Sequence, residues 1–267
     1  MNQVTQPRTG LSLRLEGVRN FRDLGGTLVG EGLRFRRGVL YRSGHFGAAS
    51  AEDWRVLGER RMRFIDLRQG WEVEIEGAGG TSDRVERTSG DGGDEGTDAV
   101  LWASIRSGRL EEIPETLTIA EAQEAMIRLY AEVIATDPAP YARFLASLST
   151  GELPVVVHCS AGKDRTGWAV AVLLTALGAP ETVIYDNYAE SSLPRNHYII
   201  RTTAGEIVPI DGSTRKLITP LLEARRAYLD AAWASVERAW GSRTSYLERG
   251  LGLTPQILAA LRNRLLV

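Results

Sequence analysis

Apolar residues change their spacing repeatedly along the chain, and each change marks an element. Pro154-Val155-Val156-Val157-His158 is an unbroken apolar run too short for a buried helix, so it predicts a buried strand. Phe64-Ile65-Asp66-Leu67-Arg68 predicts a second, and Arg37 to Ser43 a third. Helical spacing alternates with them. Ser50 is placed to N-cap a helix over Ala51 to Arg61, with Asp53 three residues on as an imperfect capping box. Ile119, Ala122, Met126, Leu129, Tyr130 and Val133 recur at helical intervals, and a second helix runs from Ala139 until Gly151 stops it. An apolar helix, Thr166 to Leu177, closes at Gly178-Ala179-Pro180. The rest reads as helical: Glu181 to Ser191, then Thr219-Pro220 as cap and first residue of a long amphipathic helix (Leu221, Leu222, Tyr228, Leu229, Trp233, Val236, Trp240), then a last helix opened by Thr254-Pro255.

This alternation predicts an α/β fold with a central, mostly parallel sheet flanked by helices and with helices added at the C-terminal end. One domain is expected over 1–267, with 1–16 as a polar leader and 77–98 as a flexible glycine-rich loop carrying at most one edge strand near Val85. Trp233 and Trp240, at helical spacing, are expected in the core or under a lid.

Composition narrows the function. With 43% hydrophobic and 25% charged residues the chain is globular, and 32 Lys+Arg against 34 Asp+Glu remove any whole-chain case for nucleic acid. The best apolar stretch, Trp168 to Leu177, is about half the ~20 residues of a bilayer span, so no integral membrane association is expected. Nothing near Met1 to Arg14 has the apolar run of a signal peptide, which predicts a cytoplasmic protein and leaves export by an unrecognised route open. One cysteine, Cys159, excludes a disulfide framework and a Cys-rich metal site. Lys163 and Lys216 are the only lysines among the 32 cationic residues, so Lys163 stands out.

Between the strand ending at His158 and the following helix lies Cys159-Ser160-Ala161-Gly162-Lys163-Asp164-Arg165-Thr166-Gly167. A strand running through small residues into a helix start aims backbone N–H groups and the helix dipole at one point, the geometry that holds oxyanions. A thiol facing that field ionises more readily than a free one, so Cys159 is expected as a thiolate. The five residues between Cys159 and Arg165 let the loop wrap a tetrahedral dianion and return a guanidinium to it. Gly162 permits the tight turn, and Thr166 can set a hydroxyl near the sulfur. A nucleotide P-loop would need Ser or Thr where Asp164 stands, and Ser160-Ala161-Gly162-Lys163 lacks the partner motifs of an acyl-transfer S-x-x-K enzyme.

His158 to Gly167 resembles the H-C-x5-R-[ST] signature of the protein tyrosine phosphatase superfamily. The chain is most similar to its atypical bacterial tyrosine phosphatase B type branch, which resembles phosphoinositide phosphatases. The resemblance extends through Asn20-Phe21-Arg22-Asp23, Tyr41-Arg42-Ser43, Asp66-Leu67-Arg68 and Asp186-Asn187-Tyr188. It implies helices on both faces of the sheet, in some members a helical lid, a phosphocysteine intermediate, and neither metal nor other cofactor. Cys159 is then the nucleophile and Arg165 the phosphate clamp. Ser160, Ala161, Gly162 and Lys163 form the cradle with Thr166 beside it, and His158 supports the loop from below. A general acid is required. Asp164 inside the signature, Asp91, Asp94 and Asp98 on the glycine-rich loop, and Asp66 are the candidates. Lys163 is either a second cation for polyanionic substrates or a solvated loop lysine, and Asn20 to Asp23 form either a substrate wall or, as the preferred reading, a structural loop in which Asp23 pairs with an arginine. The expected partner is a phosphorylated protein, bearing phosphotyrosine and by extension phosphoserine or phosphothreonine, or a phosphoinositide. The competing class is a non-catalytic phosphate-binding module, which has no use for a thiolate.

Overall fold

The computed structural model describes residues 13–78, 85–87, 110, 113, 116–202 and 206–267. Among these, five strands form one sheet: β1 (Arg22–Asp23), β2 (Leu40–Ser43), β3 (Arg63–Asp66), β4 (Val85–Arg87) and β5 (Val155–His158), in the order β1-β2-β5-β3-β4. β1 runs antiparallel to β2, and the other neighbours are parallel. Parallel neighbours need crossovers. α1 (Ala51–Glu59) links β2 to β3, α2 (Gly70–Glu76) lies between β3 and β4, and β5 then inserts between β2 and β3.

Alternation along the strands divides the core in two. Leu40, Ile65, Val155 and Val157 face one apolar cluster; Tyr41, Phe64 and Val156 face the other, with Phe46, Leu57 and Met62. The register sets Tyr41, Val156 and Phe64 side by side, so the smaller cluster is continuous across the three central strands. The larger cluster is closed by α3 (Ile119–Arg128), α4 (Ala139–Thr150), α5 (Asp164–Ala176), α6 (Glu181–Ala189), α7 (Gly212–Leu222), α8 (Arg226–Trp240) and α9 (Pro255–Leu265). Every residue from Thr166 to Leu174 is buried, which explains why α5 is apolar all round. Trp168 on α5 meets Trp233 on α8 with ring centroids 4.4 Å apart.

Local chemistry fixes the ends. At α1 the capping box is complete despite the short Asp53 side chain: Ser50 Oγ accepts from Asp53 N at 3.1 Å and Asp53 Oδ2 from Ser50 N at 2.9 Å. The same carboxylate accepts Glu16 N and Gly17 N, both at 2.9 Å, which ties the chain entering the fold to α1. The expected edge strand near Val85 is β4.

Two expectations are corrected. Thr219 and Pro220 do not open a helix: Asp211 caps α7, accepting from Ser213 N and Thr214 N, and Pro220 lies inside α7 near its end. Glu223 leaves helical conformation and α8 starts at Arg226, so the apolar periodicity of Leu221 and Leu222 belongs to the preceding helix. The helix expected through Val133 ends as an α-helix at Arg128 and continues as a π-helical turn, Leu129–Ile134, closed by Ala135 N donating to Tyr130 O at 3.1 Å. No described helix is long and apolar enough to cross a membrane.

His158 closes β5, packed edge-on against Phe46 at 5.2 Å between centroids and near Phe64. Burial pushes its pKa down from the usual 6.5 to about 4, so it is neutral in the native state. The unfolded chain binds this proton first as pH falls, so native stability must drop between 6.5 and about 4 and lose nothing further from this group below that. Denaturant midpoints measured across this window should reveal a loss of at most about 3 kcal/mol from His158. A His158→Gln variant should flatten the slope, with the remainder from His45, which burial also depresses, and, toward pH 4, from carboxylates held below their usual range such as Asp53 and Asp66.

Candidate active site

The register brings Ser43, His158 and Asp66 level at the C-terminal ends of β2, β5 and β3, the edge where open α/β sheets bind ligands. Cys159 follows directly, 2% exposed, and the chain turns through Ser160 to Lys163 before entering α5 at Asp164. The turn passes so near β2 that a Cβ on Gly162 would stand 2.2 Å from the Ser43 carbonyl oxygen, and its φ is +67°. Both facts demand glycine.

The loop is shaped from outside. His45 N donates to Ser160 O at 2.9 Å. Asn20 Nδ2 donates to Ala161 O at 3.1 Å and Gly162 O at 2.8 Å, and Arg42 Nη2 to Gly162 O at 2.8 Å. In a trans peptide the N–H points opposite to the carbonyl. Drawing three successive carbonyls outward therefore turns the N–H groups of Ala161, Gly162 and Lys163 inward, where they join the first turn of α5 as an anion cradle. Asn20 holds its place because Arg22 donates to both its side-chain and backbone oxygens. Asp23 departs from expectation: its carboxylate accepts Gly25 N and Gly38 N, both at 2.8 Å, and the charge is satisfied by backbone donors in place of an arginine.

Arg165 is aimed by a residue that the sequence reading missed. Glu72, 1% exposed in the first turn of α2, accepts from both terminal nitrogens of Arg165, with Nη2 to Oε1 at 2.6 Å. Leu67 O accepts a further bond at 3.2 Å, and Ser160 Oγ donates to Glu72 Oε1 at 2.7 Å. Burial opposes the Arg165 charge, but Glu72 outweighs it and holds the guanidinium well above its usual range. Nη1 spends both of its hydrogens on Glu72 and Leu67, whereas Nη2 keeps a second hydrogen for an anion, with the Nε–H as a further donor. Gln69-x-x-Glu72 reads in sequence as a helix cap, which it also is, since Glu72 Oε2 accepts Gln69 N at 2.9 Å.

Asp164 lines the same cleft as Cys159 and Arg165. Its Oδ1 accepts from Tyr130 Oη at 2.8 Å and lies 3.3 Å from Lys163 Nζ. Burial and the neighbouring Asp164 push the Tyr130 phenol well above its usual range, so it is the donor, and Tyr188 Oη adjoins it at 2.6 Å. The π-helical turn carries Tyr130, and Leu129, Val133 and Ile134 of the same turn line the cleft.

The other candidates fall elsewhere. Asp66 is buried in a pair with Arg68, with Oδ2 2.8 Å from Nη2. Burial works against its charge, but His158 and Arg68 hold the carboxyl below its usual range, so it is placed to orient Arg68 and not to deliver a proton to the cleft. Asp91, Asp94 and Asp98 lie outside the described residues. Lys163 lines the cleft but is not a solvated loop lysine: the residue is 3% exposed, and its ammonium donates to Leu221 O at 2.5 Å and Glu223 O at 3.1 Å, at the end of α7. The Thr166 hydroxyl is buried with no hydrogen-bond partner among the described residues. The described residues contain no cluster of His, Cys, Asp and Glu able to hold a metal.

The cleft, about 890 Å³ and open to solvent, has Cys159 and the loop as a polar floor and Trp71, Leu129, Val133 and Leu222 as apolar walls. Comparison with known proteins agrees with this chemistry. The model of the tyrosine phosphatase family matches residues 13–267. A Cupriavidus necator protein provisionally named a tyrosine-protein phosphatase is 32% identical over 240 residues, covering 90% of this chain and 84% of that protein. The triple specificity protein phosphatase PtpB of Mycobacterium tuberculosis is 33% identical over 133 residues, 46% of this chain and 48% of that one. The family match takes in every element that builds the cleft, and the chain accordingly belongs to the tyrosine phosphatase family, as a hydrolase of phosphoric monoesters.

Proposed function

We propose that the chain dephosphorylates phosphotyrosine in proteins through a phosphocysteine intermediate. The observation that carries this reading is the convergence of Cys159, Arg165 and Asp164 on one cleft whose walls are apolar and suited to an aryl ring. The Cys159 thiolate attacks phosphorus as the ester P–O bond breaks, and Asp164 gives its proton to the leaving phenolate oxygen. Water then attacks phosphorus, losing a proton to the Asp164 carboxylate. The S–P bond breaks, inorganic phosphate departs and the thiolate returns. Arg165 and the inward N–H groups hold the equatorial oxygens, whose charge is greatest in the transition state. Donation from Tyr130 and the neighbouring Lys163 occupies Oδ1 of Asp164, which leaves Oδ2 as the oxygen through which a proton would pass to the leaving group.

The triple specificity in the name of the mycobacterial relative supports a range wider than phosphotyrosine, and phosphoserine, phosphothreonine and phosphoinositides are the extension proposed. Lys163 as placed does not supply the extra cation for such polyanions, because its ammonium is engaged with α7. A pure phosphate-binding module would have no need of a carboxyl beside the thiol.

Cys159→Ser should reduce turnover of an aryl phosphate below detection while the protein still binds phosphate by calorimetry; residual turnover at wild-type level would move the nucleophile elsewhere. Arg165→Lys should lose about 10²–10³-fold in kcat/KM, since an ammonium cannot both take Glu72 and grip two oxygens. Asp164→Asn should slow an alkyl phosphate by about 10²-fold or more and an activated aryl phosphate far less, because only the poor leaving group needs the proton. Equal slowing of both in steady-state assays would make Asp164 structural. Chelators should leave the rate unchanged.

A further inference from the structure

The fields of three cations, Arg42, Lys163 and Arg165, act on Cys159. Two of them carry their own carboxylate: Lys163 lies 3.3 Å from Asp164, and Arg165 is gripped by Glu72. The surrounding charges are matched as well, Arg22 by Glu190 at 3.0 Å and Arg68 by Asp66 and Glu76. His158 is neutral, and Tyr130, Tyr141 and Tyr188 are held protonated by burial.

Arg42 differs. It is fully buried on β2, yet among the described residues no carboxylate reaches it. Its fork ends on neutral acceptors: Asn187 Oδ1 at 2.8 Å, Gly162 O at 2.8 Å and Ser191 Oγ at 3.3 Å, while Nε has no partner. Burial lowers its pKa to about 10, which still leaves it charged at neutral pH. A buried cation without a counter-charge is strongly unfavourable, which points to an anion nearby. Glu190 acts on Arg42 only from beyond ion-pair distance and is already paired with Arg22, so the anions left to balance the Arg42 charge are the Cys159 thiolate and the phosphoryl group that follows it.

We infer that Arg42 is a positioning residue whose buried, unmatched charge keeps Cys159 ionised, with the thiolate and then the bound phosphate dianion as its counter-ion. This rests on the reading of Cys159 as nucleophile. It goes beyond that reading by assigning the excess positive charge of the site to a residue that touches neither sulfur nor substrate. It also separates two roles within one side chain. Donation to Gly162 O shapes the cradle, whereas the charge acts through the thiol.

Asn187 provides the means of dividing these roles. Asn187→Asp is nearly isosteric, keeps the hydrogen bond to Arg42 and gives the guanidinium a carboxylate in place of an amide. Because the chain has one cysteine, alkylation by iodoacetamide reads Cys159 alone, with no substrate required. At about pH 6, Asn187→Asp and Arg42→Gln should both be alkylated about tenfold more slowly than the wild type, and all three should converge in alkaline solution where the thiol is fully ionised. The melting temperature of Asn187→Asp should equal or exceed that of the wild type, which keeps the test decisive if Arg42→Gln does not fold. Wild-type alkylation rates in folded Asn187→Asp at about pH 6 would overturn the inference and leave Arg42 as a carbonyl anchor. Absence of aryl phosphate turnover by the wild type would instead overturn the proposed function.

Discussion

A ring of inward N–H donors can exist only if the carbonyls of the same peptides are held outward, and the site depends on that constraint. Buried carbonyls need partners of their own. Here the partners come from three separate places: the backbone at His45, the side chain of Asn20 and the guanidinium of Arg42. The strand β2 and the segments flanking it therefore form the mould of the anion cradle. Gly162 completes the fit, because a side chain there would strike β2 and push the loop out of reach of its donors.

The chemistry is distributed in the same manner. α2 brings Glu72 to aim Arg165, the π-helical turn after α3 brings Tyr130 to Asp164, and the end of α7 receives Lys163. The signature loop supplies the reactive groups, and each is oriented by an element distant in sequence. This division explains the buried polar content around the loop. A hydrogen-bonded network in a low dielectric holds geometry firmly, provided that nearly every member is satisfied.

The legible part of the sequence was the part governed by local rules. β5, α5 and the intervening loop follow from apolar runs, small residues and a thiol-arginine spacing, all confined to residues 154–177. The cap of α1 was also visible, although Asp53 does more than its motif suggests by fastening Glu16 and Gly17. Glu72 was not legible, because a helix cap and an arginine holder look identical until α2 is placed beside the loop. Asn20 and Arg42 were noticed as motifs, but their task depends on where β2 lies relative to β5. Pro220 misled for the opposite reason: a strong local signal for a helix start was overridden by Asp211, which had already begun α7, and by packing that tolerates a proline near its end.

The solitary Cys159, 2% exposed at the floor of the cleft, has a consequence for oxidative chemistry. A sulfenic acid formed there finds no second thiol in these 267 residues with which to condense. Rescue must come from a small external thiol able to enter the cleft, or from the backbone nitrogen of a neighbouring residue closing a sulfenamide. The second route would consume an amide that the cradle uses and pull the carbonyls away from Asn20 and Arg42. Oxidation of Cys159 would thus be coupled to the shape of its loop, and its reversal to how readily a reductant passes Trp71 and Leu222.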